Sequence, residues 1–254
     1  MGFIVDIFNL LIYRPLFNGL IGIYDLIPDL GIAIIILTII IRILLLPLSK
    51  KSIQSQKKMQ EIQPELKKIQ EKYKHDKQEQ GRRIMQFYKE KKINPASGCL
   101  PLIIQLIILI ALYNVFMAGI DFNGQSDLLY SFIGNPGSIN PISLGFLDIT
   151  QRNIFLAVVA SALQFWQTKM IMKKTKKREE DKPSKKETDE PDFATIMQQQ
   201  MLYIGPLLTF IIGLQFPAGL PLYWIVTTLF MIGQQYFIFN KEDLGDKTPQ
   251  KKIS

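Results

Sequence analysis

The chain has 254 residues, 48% hydrophobic and 11% aromatic, with 30 Lys and Arg against 22 Asp and Glu and a net charge of +8. Its one cysteine, Cys99, excludes an internal disulfide framework, and with a single histidine, His75, no Cys/His spacing exists for a zinc site. The basic excess would suit a nucleic-acid binder, but the Lys and Arg residues are sorted by segment between long apolar runs, which points to a membrane instead.

Residues 1–28 are apolar but interrupted by Asp6, Asn9, Arg14, Pro15, Asn18 and Asp25, a pattern that predicts an amphipathic helix in the outer interface rather than a span. No cleavable signal peptide is expected, because a basic n-region and a small-residue cleavage site are both missing. Five runs then approach the roughly 20 apolar residues that cross a bilayer. They lie in residues 29–48, 99–119, 153–172, 197–216 and 217–239, the last opening with a tight outer turn, "FPAGLP". The fold class is therefore an all-α integral membrane protein with five transmembrane helices.

Residues 49–98, between the first two spans, carry Met59, Ile62, Leu66, Ile69 and Tyr73 at spacings of three and four, then Ile84, Phe87 and Tyr88. Two narrow apolar stripes on charged helices predict a helical hairpin, with a kink or a fresh helix start at Pro64. His75 falls at its turn and reads as a solvated residue. Residues 120–152 form an outer loop rich in Gly, Pro and Asn. Residues 173–196 lack apolar periodicity, and the stretch Lys173 to Phe193 reads as a disordered linker. Residues 240–254 read as a basic tail.

Fourteen Lys and Arg lie between Lys50 and Gly98, eight between Lys173 and Lys186, and four after Phe239, whereas Gly119 to Asn153 holds only Arg152 and the first thirty residues only Arg14. The positive-inside rule places the hairpin, the linker and the C-terminus in the cytoplasm and the N-terminus outside.

The first span, "IAIIILTIIIRILLLPLSKK", holds Arg42 among isoleucines and leucines, at a cost of about 2.5–3.5 kcal/mol near a bilayer centre. Snorkelling toward Lys50 is the simpler reading of such a residue. Thr38, one turn earlier, makes the same face polar, and other spans add Gln105, Asn114, Gln164, Gln167, Thr227, Thr228, Gln234 and Gln235. Apart from Asp29 at the start of the first, no span supplies a carboxylate. A hydrated, amide-lined, positive cavity follows, suited to a visiting anionic group. No phosphate loop, paired carboxylates, nucleophile with a partner histidine or metal cluster is present, so no covalent catalysis and no cofactor are implied.

Three stretches in this order, "LTIIIRILLLPLSKKSIQSQKKMQEIQPELKKIQEKY", "YKEKKINPASGCLPLIIQ" and "FPAGLPLYWIVTTLFMIGQQYF", resemble the YidC family of membrane protein insertases, whose relatives act in mitochondria and chloroplasts. The resemblance implies a five-helix core around a hydrophilic groove, open to the cytoplasm and lipid and closed outside, in a bacterial cell membrane. Arg42 matches the groove arginine and Thr38 a polar neighbour, while Gln105, Gln164 or Gln167, and Trp224 are the other groove candidates. Ile107 departs from the pattern, standing where a proline would bend the second span.

The implied partners are nascent membrane proteins, the phospholipid membrane, the ribosome through the basic segments, and the general secretion channel. In this reading Arg42 holds the short outer segment of a nascent span while the apolar part slides along spans three and five into lipid. A small-anion channel or carrier using Arg42, and an assembly scaffold without insertion activity, are the competing readings.

Overall fold

The apolar runs form helices in a computed structural model that describes residues 2–94, 100–120, 126–180 and 193–245. Helix α1 (Gly2–Phe8) continues through a π-helical turn, Asn9–Tyr13, into α2 (Arg14–Leu26). Then come α3 (Leu30–Leu44), α4 (Leu46–Glu61), α5 (Gln63–Lys72), α6 (Lys77–Glu90) and α7 (Leu100–Ile120). A two-stranded antiparallel turn, β1 (Ile142–Ser143) and β2 (Leu147–Asp148), precedes α8 (Ile154–Glu180), α9 (Phe193–Gln215) and α10 (Gly219–Gly245). The chain is thus mostly helical.

By length and composition, one unbroken helix among the described residues, Val5–Leu26, suffices to cross a membrane. The bent pair Leu30–Leu44 and Leu46–Ser55 provides a second if taken together. The first of these is the segment whose interruptions predicted an interfacial helix. Its two halves differ: Phe3, Val5, Leu10 and Leu11 are exposed, whereas Phe17, Leu20, Ile21 and Tyr24 are buried against the bundle.

The first predicted span does not run straight to Leu48. It breaks at Leu45, and α4 leaves at 61°. Pro47 is the cause: it has no N–H for the Ile43 carbonyl, and its ring would clash with that turn. A second restart follows at Gln63, where Pro64 occupies the first turn of α5, as its sequence position predicts. Helices α5 and α6 then run antiparallel, joined by an ion pair from Lys91 to Glu65 (2.8 Å) and by Gln80 Nε2 donating to Gln70 O (2.6 Å). His75 is exposed at their turn.

The linker expectation needs correction, because α8 continues to Glu180 and α9 begins at Phe193. Lys, Arg and Glu are good helix formers and no proline intervenes before Pro183, so the helix carries past its apolar stretch. Residues 181–192, the rest of that expectation, lie outside the described residues, as do 246–254 of the basic tail.

The core sits at one end of the bundle. Phe17, Leu20, Ile21 and Tyr24 of α2 pack with Leu30, Ala33, Ile34 and Leu37 of α3, Ile108, Leu112 and Val115 of α7, and Leu220 and Tyr223 of α10. Asp29 caps α3 by accepting from Ile32 N (3.0 Å), and also takes Ser143 Oγ (2.5 Å) and Leu144 N (2.7 Å). Gly219 N donates to Ile149 O (3.1 Å) and Ala218 N to Gln151 O (2.8 Å). One loop therefore holds the starts of both α3 and α10, which run in the same direction. Gly31 is required there, since a Cβ would collide with the Ser143 side chain.

Asn18 locks the same end. Its Nδ2 donates to Arg14 O (2.8 Å) and Leu128 O (2.9 Å), and its Oδ1 accepts from Tyr130 N (2.6 Å).

Candidate functional site

Arg42 lies 12 residues into α3, about 18 Å along the helix from Leu30 at 1.5 Å per residue, and three residues before the break at Leu45. Its side chain is 8% exposed and turns inward. Nη2 donates to Gln105 Oε1 of α7 (2.5 Å), and more weakly to Tyr223 OH and Thr227 Oγ1 of α10, both at 3.4 Å. Gln105 Nε2 donates in turn to Tyr223 OH (2.9 Å). Tyr223 and Thr227 are four residues apart, so one face of α10 presents both. Snorkelling is therefore not what Arg42 does here: its head is tied to two neighbouring helices.

All three partners are uncharged, and no ion pair to Arg42 is found among the described residues. One hydrogen bond to a charged group is worth about 1.5–3 kcal/mol, enough to offset most of the insertion cost without neutralising the charge. All three bonds also come from a single nitrogen. Nε and Nη1 donate to no group among the described residues, so the guanidinium keeps N–H donors for an entering anionic group such as a carboxylate.

The other candidates divide. Thr38 is 1% exposed, one turn above Arg42, but its hydroxyl donates back to Ile34 O (2.6 Å) and does not join the cluster. Gln164 accepts from the Thr209 hydroxyl and so ties α8 to α9. The two helices come close enough there for small residues to meet, with Gly213 against Ala157. Gln167 is buried nearby on α8. Trp224 is half-buried at the edge of the core. Neither makes a hydrogen bond to Arg42. Helix α7 passes through Ile107 unbroken, so without the proline α7 stays continuous there.

Sequence reasoning missed Tyr223, the hydroxyl that links Arg42 to Gln105. The available signal was its position four residues before Thr227 in "LYWIVTT". Two further polar groups continue along α10: Gln234 Nε2 and Gln235 Oε1 are buried and without a hydrogen-bond partner among the described residues.

The 60Kd inner membrane protein family model matches residues 22–245. A membrane protein insertase YidC of Fusobacterium nucleatum is 36% identical over 213 residues, 84% of this chain and 87% of that one. A membrane protein insertase YidC of Treponema denticola is 35% identical over 226 residues, 85% of this chain but only 35% of the longer relative. Among solved structures, a crystal structure of an active YidC insertase with its first transmembrane domain resolved matches with a TM-score of 0.56 at 26% identity, covering 89% of this chain and 47% of that one. The chain belongs to the 60Kd inner membrane protein family and stands among its YidC-type membrane protein insertases.

Proposed function

We propose that this chain inserts short membrane proteins into a bacterial cell membrane, passing their polar outer segments through a positively charged groove and releasing their apolar spans into lipid. The observation that carries this reading is Arg42, buried and held by Gln105, Tyr223 and Thr227 with no carboxylate partner among the described residues. A resident counter-ion would make the site inert, whereas uncharged partners keep its field available to an entering acidic segment. The apolar core between α2, α3, α7 and α10 fits closure on the outer side, so the polar path opens toward the cytoplasm.

In this reading the five spans are residues 29–48, 99–119, 153–172, 197–216 and 217–239, with the N-terminus outside and the C-terminus in the cytoplasm. Residues 49–98 form the cytosolic hairpin. Helix α2 lies across the outer end, as its bonds to Leu128 and Tyr130 favour. The basic cytosolic segments suit ribosome contact, and the secretion channel is a compatible partner.

A substrate's outer segment meets Arg42 and exchanges a water-exposed carboxylate for a charge-assisted hydrogen bond. Burial of the substrate span in lipid, at about 25 cal/mol per Å², then exceeds that transient contact and drives release. No nucleotide enters the step, and the membrane potential assists an acidic segment moving outward.

The test is reconstitution of the chain alone in vesicles, with protease protection of a newly translated short membrane protein. Insertion is expected. Passage of chloride or phosphate without any insertion would instead support the channel reading, and neither activity would support a scaffold. Tyr223→Phe should lower insertion of acidic-tailed substrates about 2- to 10-fold, the value of one hydrogen bond, and lower stability by about 1–3 kcal/mol because Gln105 Nε2 loses its acceptor.

A further inference from the structure

A second polar site lies away from Arg42. An open cleft of about 420 Å³ separates α7 from the end of α9 and the loop before α8, and is lined by Tyr113, Gln151, Arg152, Gln215 and Phe216 among others. Its rim is built rather than loose. Ala218 N bonds Gln151 O (2.8 Å), and the Tyr113 and Phe216 rings meet edge-on at 5.3 Å.

Arg152 is exposed and has no ion pair among the described residues. The nearby carboxylate, Asp148, is already engaged: the Thr150 hydroxyl chiefly, opposed by desolvation and helped by the Thr150 and Gln151 N–H groups, holds it below the usual carboxylate range. The cleft thus offers one unneutralised guanidinium flanked by two amides.

Below the cleft both flanking helices present apolar stripes. Ile103, Leu106 and Ile110 share the Tyr113 face of α7, and Ile204, Leu208 and Ile211 share the Gln215 face of α9. All six are exposed. Measured from Tyr113 and Gln215 at the cleft to Ile103 and Ile204, each stripe reaches about 15–17 Å at 1.5 Å per residue, about half of the roughly 30 Å hydrocarbon core and so the depth of one leaflet.

We propose that this cleft is a phospholipid site: Arg152 and the Gln151 and Gln215 amides hold the headgroup phosphodiester, and the acyl chains lie along the two stripes. The stripe length selects a lipid over a soluble anion, and the guanidinium selects a phosphate over a neutral headgroup. The assignment rests on the orientation proposed above, which puts this end of the bundle in the outer leaflet.

The test takes the full chain in nanodiscs of phosphatidylglycerol and phosphatidylcholine, extracts it, and counts retained phosphatidylglycerol by native mass spectrometry. Arg152→Gln should lower retention about fivefold or more, and Arg152→Lys should restore part of it. A photo-crosslinking residue in place of Gln215 should capture phosphatidylglycerol in preference to diacylglycerol. Equal retention in Arg152→Gln overturns the proposal, and so does displacement of the crosslink by millimolar glycerol phosphate, which would mark a site for soluble phosphoesters. Should Arg152→Gln fail to fold, the crosslinking comparison decides alone. In a Cys99→Ser background, Gln151→Cys should react with an impermeant maleimide from outside. Labelling only in inside-out vesicles would overturn the orientation while leaving the lipid retention result standing.

Discussion

Arg42→Ala is expected to cut insertion of short proteins with acidic outer tails by about 10- to 100-fold in reconstituted vesicles, the worth of one hydrogen bond to a charged group. Substrates with uncharged tails should lose much less, about twofold. Arg42→Lys should fall between, because an ammonium keeps the charge but loses the fixed guanidinium geometry that lets Nη2 reach Gln105, while still offering donors to a carboxylate. Folding should survive the change. Gln105 Nε2 and Tyr223 OH remain bonded to each other at 2.9 Å without the arginine, and a charge costly in the membrane is removed. The thermal midpoint of Arg42→Ala should therefore match or exceed that of the parent chain. A large loss of stability together with unchanged insertion would mean that Arg42 is a structural residue.

The largest effect on stability is expected at Asn18. It is 2% exposed, and its amide satisfies the Leu128 carbonyl and the Tyr130 N–H of the loop between α7 and β1. Asn18→Leu keeps the side-chain volume near its original value but leaves both backbone groups unpaired beside an apolar core. At about 1–3 kcal/mol for each of the two unsatisfied groups, the expected loss is about 2–6 kcal/mol, read from urea unfolding in detergent micelles. A loss below about 1 kcal/mol would show that the loop finds other partners. Asn18→Asp should be milder, since it still accepts from Tyr130 N while losing the donor to Leu128.

These two residues also show what was legible in the sequence and what was not. Arg42 announced itself because a charge within a hydrocarbon run is costly wherever its partners lie. Gln105 did so for the same reason, more weakly. Tyr223 did not, because a tyrosine near the end of an apolar span serves equally well as a core or interface residue. Asn18 was read only as an interruption of an amphipathic pattern. Its loop partners are 110 and 112 residues away, a separation that local periodicity does not encode.

Gln164 shows the converse. A polar residue in a span predicts a polar partner, but composition does not say which neighbouring helix supplies it, and here it is Thr209 of α9. Pro47 and Pro64 set helix boundaries because proline acts within its own turn, which is why the restart at Gln63 was foreseeable. The break at Leu45 is masked in the sequence by the apolar run around it. Its effect is to put Arg42 in the last turn of α3, just before the chain bends away by 61°.

What Arg42 meets during translation decides its role most directly. A photo-crosslinking residue in place of Thr227, whose hydroxyl accepts from Arg42, measures this on a ribosome-bound substrate with one acidic residue in its outer segment. A crosslink that peaks when the acidic residue reaches the groove, and is lost with Arg42→Ala, is the predicted result. Crosslinks only to completed spans, or equal crosslinking with the acidic residue neutralised, would contradict it.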